Sequence, residues 1–179
     1  MAAGDSTGGG TGSWSVPRIG PSDLLAAGQE SVLRTRVGYA DDDGSTLAGL
    51  TGAMRAGAFE GLLGFAHRDA GEIEHAGGPP PPNPRDYESD AVLARTVFAA
   101  GEHRLRLTAQ WNRERVRTDV DALELSGGRF ANTVLLEGDD RAENAGLLLD
   151  QDFSGVAGLD FAVWRAYWNE TDILQRTHE

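Results

Sequence analysis

From Glu30 onward, apolar and polar residues alternate one by one in short segments separated by turn signals. The clearest is His103–Asn112. Its odd positions are His103, Leu105, Leu107, Ala109 and Trp111, and its even positions Arg104, Arg106, Thr108, Gln110 and Asn112. Successive side chains of a strand point to opposite faces, so this segment has one apolar and one polar face. Ser31–Tyr39 places Leu33, Val37 and Tyr39 opposite Arg34 and Arg36. Asn144–Phe153 places Ala145, Leu147, Leu149 and Phe153 opposite Asn144, Asp150 and Asp152. Tyr87–Phe98 places Val92, Ala94 and Phe98 opposite Arg95. Two Gly- and Ala-rich segments between Thr46 and Arg68 alternate less cleanly. In Leu159–Asn169, Ala162, Trp164, Ala166 and Trp168 oppose Arg165, but Phe161, Val163 and Tyr167 share its side. The pattern predicts an all-β chain over residues 30–179, an antiparallel up-and-down meander of about seven strands. A Gly/Ser/Pro-rich lead-in covers residues 1–29.

The connections alternate in length. Asp41-Asp42-Asp43-Gly44-Ser45, Ala56-Gly57-Ala58, Ala99-Ala100-Gly101-Glu102 and Ser154-Gly155-Val156-Ala157-Gly158 are short. Asp69–Asp86, with Pro79-Pro80-Pro81-Pro82, and Glu114–Glu143 are long and polar. Every second connection is therefore tight, as in outer-membrane barrels with short periplasmic turns and longer extracellular loops. The expected architecture is a partial transmembrane β-barrel. Phe59, Phe98, Phe153 and Phe161 then fall near the tight turns, and Tyr39, Tyr87, Trp111 and Trp168 near the opposite strand ends, as two aromatic girdles would.

Arg34, Arg36, Arg68, Arg95, Arg104, Arg106 and Arg165 lie within these segments, as do Asp150 and Asp152. An arginine facing lipid at mid-bilayer costs about 2–4 kcal/mol, so in a barrel these side chains are expected to face the lumen. In a soluble sandwich they would face water. The formal net charge of -12 and pI near 4.7 argue against a nucleic-acid partner, which needs clustered Lys and Arg. Cysteine is absent, which excludes disulfides and thiolate metal sites. No apolar run approaches the roughly 18 residues of a membrane-spanning helix, a test to which barrel strands are silent. The first residues, Met1-Ala2-Ala3-Gly4-Asp5-Ser6, do not read as a signal peptide.

Little in the sequence points to catalysis or to a resident cofactor. The histidines are His67, His75, His103 and His178, without paired metal spacing. His75, beside Glu72 and Glu74 in an expected outer loop, is the one loop candidate for haem or metal contact, against the ordinary reading of a solvated loop histidine. His67 and His103 are expected near strand ends at an interface. Asp41–Ser45 lacks the spaced ligands of a calcium loop and reads as a hairpin turn. The Gly8–Gly12 run lacks the strand and the Lys-Ser/Thr of a phosphate loop. Asp150 and Asp152 have no nucleophile beside them and read as polar lining, and no nucleophile elbow is present. An enzyme is not expected.

Three segments resemble a known family. Pro81-Pro82-Asn83-Pro84-Arg85-Asp86-Tyr87-Glu88-Ser89-Asp90-Ala91-Val92-Leu93-Ala94-Arg95 is similar to a loop-to-strand passage in TonB-dependent outer-membrane receptors of the haem/haemoglobin and transferrin group. Gly57-Ala58-Phe59-Glu60-Gly61-Leu62-Leu63-Gly64-Phe65-Ala66-His67-Arg68-Asp69 resembles a hairpin strand of the same group, and Pro21-Ser22-Asp23-Leu24-Leu25 the link between plug and barrel. The resemblance spans roughly residues 20–179. It implies a 22-stranded barrel filled by a plug, of which residues 30–179 would form the first barrel strands and residues 1–29 the end of the plug-to-barrel link. It further implies a place in a gram-negative outer membrane, lipid as the outer partner, a plug and further strands outside this chain, and energy supplied by the TonB system. The implied function is uptake of iron, with haem or a ferric complex as cargo. The alternative left open by the residues is a soluble β-sandwich that binds carbohydrate or protein.

Overall fold

The computed structural model describes residues 19–41, 43–71, 84–119, 137–156 and 159–178. After a single turn of helix, α1 (Pro21–Leu24), come seven strands: β1 (Ser31–Tyr39), β2 (Thr46–Ala56), β3 (Phe59–Ala70), β4 (Arg85–Ala100), β5 (His103–Asp119), β6 (Glu137–Val156) and β7 (Leu159–His178). They form one antiparallel sheet in sequence order, β1 through β7, an up-and-down meander. The sheet is not closed, because β1 and β7 remain its two edges. The chain is all-β, and its architecture is that of part of a barrel wall.

Pairing is continuous in every hairpin, so one register sorts all the side chains. The row Leu33–Gly52–Leu63–Ala94–Ala109–Leu147–Trp168 crosses the whole sheet, and so does the row Thr35–Leu50–Phe65–Val92–Trp111–Ala145–Glu170. These rows lie on one face, here called outer. The row Arg34–Thr51–Gly64–Leu93–Gln110–Gly146–Asn169 lies on the other, inner, face. Leu159–Asn169, ambiguous in sequence, resolves by register: Ala162, Trp164, Ala166 and Trp168 are outer, and Phe161, Val163 and Tyr167 inner.

Segment 19–25 lies on the inner face, against β2, β3 and β4. Pro21 starts α1, where its missing N–H costs nothing, and Asp23 Oδ2 accepts from the Gly20 N–H at 2.7 Å. Pro21 is fully buried and Leu25 nearly so. Within the lead-in expected over 1–29, Pro21–Leu25 is therefore a packed element, while residues 26–29 are exposed. Residues 1–18 lie outside the described part.

Two expectations need correction. The connection expected over Glu114–Glu143 is shorter, since β5 runs on to Asp119 and β6 begins at Glu137. These extensions carry charge on both faces, so no apolar alternation marks them. The girdle pattern holds only in part. Phe59, Phe98 and Phe153 sit on the outer face near the tight turns, but Phe161 is inner. Tyr87 is also inner, opposite Ala70 and Val116. Trp111 and Trp168 are outer but stand well short of the ends of β5 and β7.

Residues 57–58, 101–102 and 157–158 join strands at one end of the sheet, and residues 40–45, 71–84 and 120–136 at the other. Gly57, Gly101 and Gly155, at the first end, have φ of 58°, 58° and 64°, a left-handed conformation that side chains with a Cβ resist. A Cβ on Gly155 would also stand 2.8 Å from Glu102 Oε2, the free end of a flexible side chain. Gly155→Val should therefore destabilise the β6–β7 hairpin by about 1–2 kcal/mol, and Gly155→Asn by clearly less. Urea unfolding in detergent, followed by tryptophan fluorescence, checks this. The loss should persist in Gly155→Val combined with Glu102→Ala; full rescue would assign it to the side-chain contact and not to the backbone.

Candidate functional site: an apolar belt and a polar inner face

The outer face carries exposed apolar side chains where a folded protein in water would hide them. Leu33, Leu50, Met54, Phe59, Leu63, Phe65, Phe98, Leu105, Leu107, Leu147, Trp164 and Trp168 are all outer by register and all solvent-exposed, Leu33 and Leu63 to 68% and 60%. Conversely, Arg95, Thr108, Asn144 and Asp150 are buried, and all four are inner. Contiguous apolar patches of this extent mark contact with something other than water.

The belt has a definite height. On β5 it occupies outer positions between His103 and Arg113. From His103 to Arg113, the residues that flank it, ten steps of about 3.3 Å span ~33 Å along the strand, and a strand tilt of about 35–45° projects this to ~23–27 Å. The apolar band of an outer-membrane barrel is about 25 Å tall. Across β3–β6 the upper edge of the belt follows a single register row. Its upper margin lies near Tyr39 on β1, below His67, Asp90, Arg113 and Glu143 on β3–β6, and below Glu170 on β7. Its lower margin follows the strand ends at the tight turns, from Leu33 on β1 through Phe59 on β3 to Phe153 and Ala162 on β6 and β7. Leu174, outer and exposed beyond the upper margin, stands apart from the belt.

Charge begins abruptly at the upper margin. His67 Nδ1 lies 2.8 Å from Asp90 Oδ1, and Arg113 Nη2 donates to Asp90 Oδ2 at 2.6 Å. Trp111, the last belt residue of β5, donates its indole N–H to Glu143 Oε1 at 2.8 Å, and Arg141 donates to the other Glu143 oxygen at 2.6 Å. Arg115 grips Asp139 through two bonds of 2.9 Å. An amphipathic ring with its polar edge turned to charge suits an apolar–aqueous boundary. His67, Glu88 and Asp90 also bring three potential metal ligands within 4.8 Å of one another. Arg113 pairs with both carboxylates, at 3.5 Å from Glu88 and 2.6 Å from Asp90.

On the inner face the polar groups pair with each other and with α1. Arg165 Nε donates to Asp150 Oδ1, and Arg106 Nη2 to Asp152 Oδ1 at 2.9 Å. Arg95 donates to Thr108 Oγ1 at 2.9 Å and to the Ile19 carbonyl at 2.6 Å. Arg34 donates to the Leu24 carbonyl at 3.1 Å. Thr171 donates to Asn144 Oδ1. Between α1 and the inner sides of β4–β7 lies an open groove of about 880 Å³.

All eight strand residues singled out as lumen candidates, Arg34, Arg36, Arg68, Arg95, Arg104, Arg106, Asp150 and Asp152, take inner positions, with Arg165. The structure gathers Arg95, Arg104, Arg106, Asp150 and Arg165 around the groove. Arg34 and Arg36 stand apart on β1, and Arg68 pairs with Asp43 at the far end. His75 lies outside the described residues. His103 opens β5 and meets the Phe153 ring edge-on at 5.4 Å. The upper charge ladder was missed, because its partners lie on different strands and only register joins them.

The β1–β2 connection is a hairpin closed by Ala40 N–H to Ser45 O at 2.9 Å, with Gly44 at φ 60°. The Ser45 hydroxyl and N–H hold the Asp43 carboxyl below its ordinary 3.8, helped by the Arg68 guanidinium. A lowered folded-state pKa stabilises the hairpin above the unfolded value, and this support is lost as pH falls from about 4 through the folded value. Carboxyl ¹³C shifts should show Asp43 titrating below ordinary aspartates. Ser45→Ala should move it up by more than Arg68→Gln does. The reverse order would make Arg68 the dominant cause.

No protein-family model matches this chain, and no curated protein matches it.

Proposed function

We propose that this chain forms part of the wall of an outer-membrane β-barrel, in a TonB-dependent receptor that takes up iron, haem or an iron carrier. The carrying observation is the exposed apolar belt of membrane height on one face, with paired polar residues on the other. Lipid is the solvent that rewards such an inside-out sheet. Tight turns at one end and longer connections at the other support the same reading, with the tight end periplasmic. The inner arginines and aspartates would then face the lumen, and segment 19–25 would sit inside it. The receptor class and its iron or haem cargo are supported by the resemblance of residues 20–179 alone. The chain then acts as a passive wall, with no chemistry of its own. A soluble β-sandwich needs a second sheet over the apolar face, and the described residues form a single sheet.

Refolding from urea into phospholipid vesicles tests this reading. The chain should float with the vesicles and gain protease protection. Leu107→Arg and Leu147→Arg should each reduce insertion strongly, at about 2–4 kcal/mol per arginine near the midplane, while Gln110→Arg on the inner face should not. A monomer that stays soluble without detergent, and tolerates both outer arginines, would overturn the proposal.

A further inference from the structure

The two faces differ in charge as well as in polarity. Of the strand arginines, Arg113, Arg115, Arg117, Arg141 and Arg176 are outer, and all the others are inner. Inner strand carboxylates are confined to Glu60, Glu114, Asp140, Asp150 and Asp152, while the outer face holds the majority. A chain of net charge -12 thus keeps a cationic inner surface. The excess is greatest at the groove, where Arg95, Arg104, Arg106 and Arg165 stand around its wall with only Asp23 and Asp150 as acids. Asp150 is taken by Arg165 and Asp152 by Arg106. Among the described residues nothing pairs with the Arg104 guanidinium, which lines the groove and is exposed. Gln110 and Asn169 add neutral hydrogen-bonding groups on the same wall.

We propose that this groove is a binding site for a small anion bearing carboxylate or phosphate groups, with Arg104 as its principal contact. Guanidinium groups present paired N–H donors that match carboxylate and phosphate oxygens, and a partly enclosed wall screens less than open water. The groove has room for a molecule of several carboxylates. The site deepens the barrel-wall reading, in which it would lie on the lumen side, but its chemistry depends only on the inner face.

The test uses the whole chain refolded in uncharged maltoside micelles, titrated calorimetrically with citrate and with inorganic phosphate at low salt. Citrate should bind, and more tightly than phosphate. Arg104→Gln should weaken citrate about tenfold, as loss of a charge-assisted hydrogen bond does, and Arg104→Lys should recover part of it. Arg141→Gln, on the outer face, should leave the affinity within about twofold. No heat of binding in a chain with an intact β-sheet spectrum would overturn the site. So would indifference to Arg104→Gln, or equal loss in Arg141→Gln, which would mean diffuse attraction to surface charge. Vesicle insertion measured on the same preparation separates the two proposals. Citrate binding without insertion keeps the site and removes the membrane wall, and insertion without binding does the reverse.

Discussion

Register is the constraint on which everything else in this sheet depends. Side chains alternate with a period of two, so a one-residue slip in any hairpin would turn a whole strand inside out. A slip of β5 would send Arg104 and Arg106 into the apolar belt and Leu105 and Leu107 into the groove. In water that exchange would be costly on one face only. In hydrocarbon it would be costly on both, because both arginines would lose their hydration and Arg106 its aspartate as well. The pairs Arg106–Asp152 and Arg165–Asp150 therefore act as register pins on the inner side, as Arg113–Asp90 and Arg115–Asp139 do above the belt.

The order of the polar network follows the same logic. Below the upper margin the ion pairs lie on the inner face, and Thr108, Asn144 and Asp150 are buried there with partners. Above the margin, both faces carry charge and the ion pairs run along the outer face from β3 to β6. The sheet is thus two materials in series. One part is sided, apolar on the outer face and largely polar on the inner, where Phe161, Val163 and Tyr167 of β7 are the exposed apolar exceptions. The other, formed by the upper ends of the longer strands, is wetted on both sides.

Much of this was legible in the sequence where alternation is strict. His103–Asn112 and Ser31–Tyr39 gave their faces directly, and the lumen candidates fall on one face because each sits an even number of residues from its neighbours on the same strand. What could not be read lies where alternation fails. Arg113–Asp119 and Glu137–Glu143 are polar at nearly every position, so they resemble loop until a partner strand is known. Tyr87 and Phe161 were counted with the girdles for their place near strand ends, although their parity with Arg95 and Arg165 puts them on the opposite face. The packing of Pro21 and Leu25 depends on carbonyl contacts with Arg95 and Arg34, which composition does not encode.

The strands lengthen steadily along the meander, from nine residues in β1 to twenty in β7. The two free edges are therefore mismatched: even perfect closure of the seven would leave more than half of β7's free edge without a mate. Seven strands are also too few to encircle α1 and the groove side chains. A lipid-resident form of this sheet consequently owes its last strand a neighbour of comparable length, and the growing strand ladder sets the minimum span that such a neighbour must have.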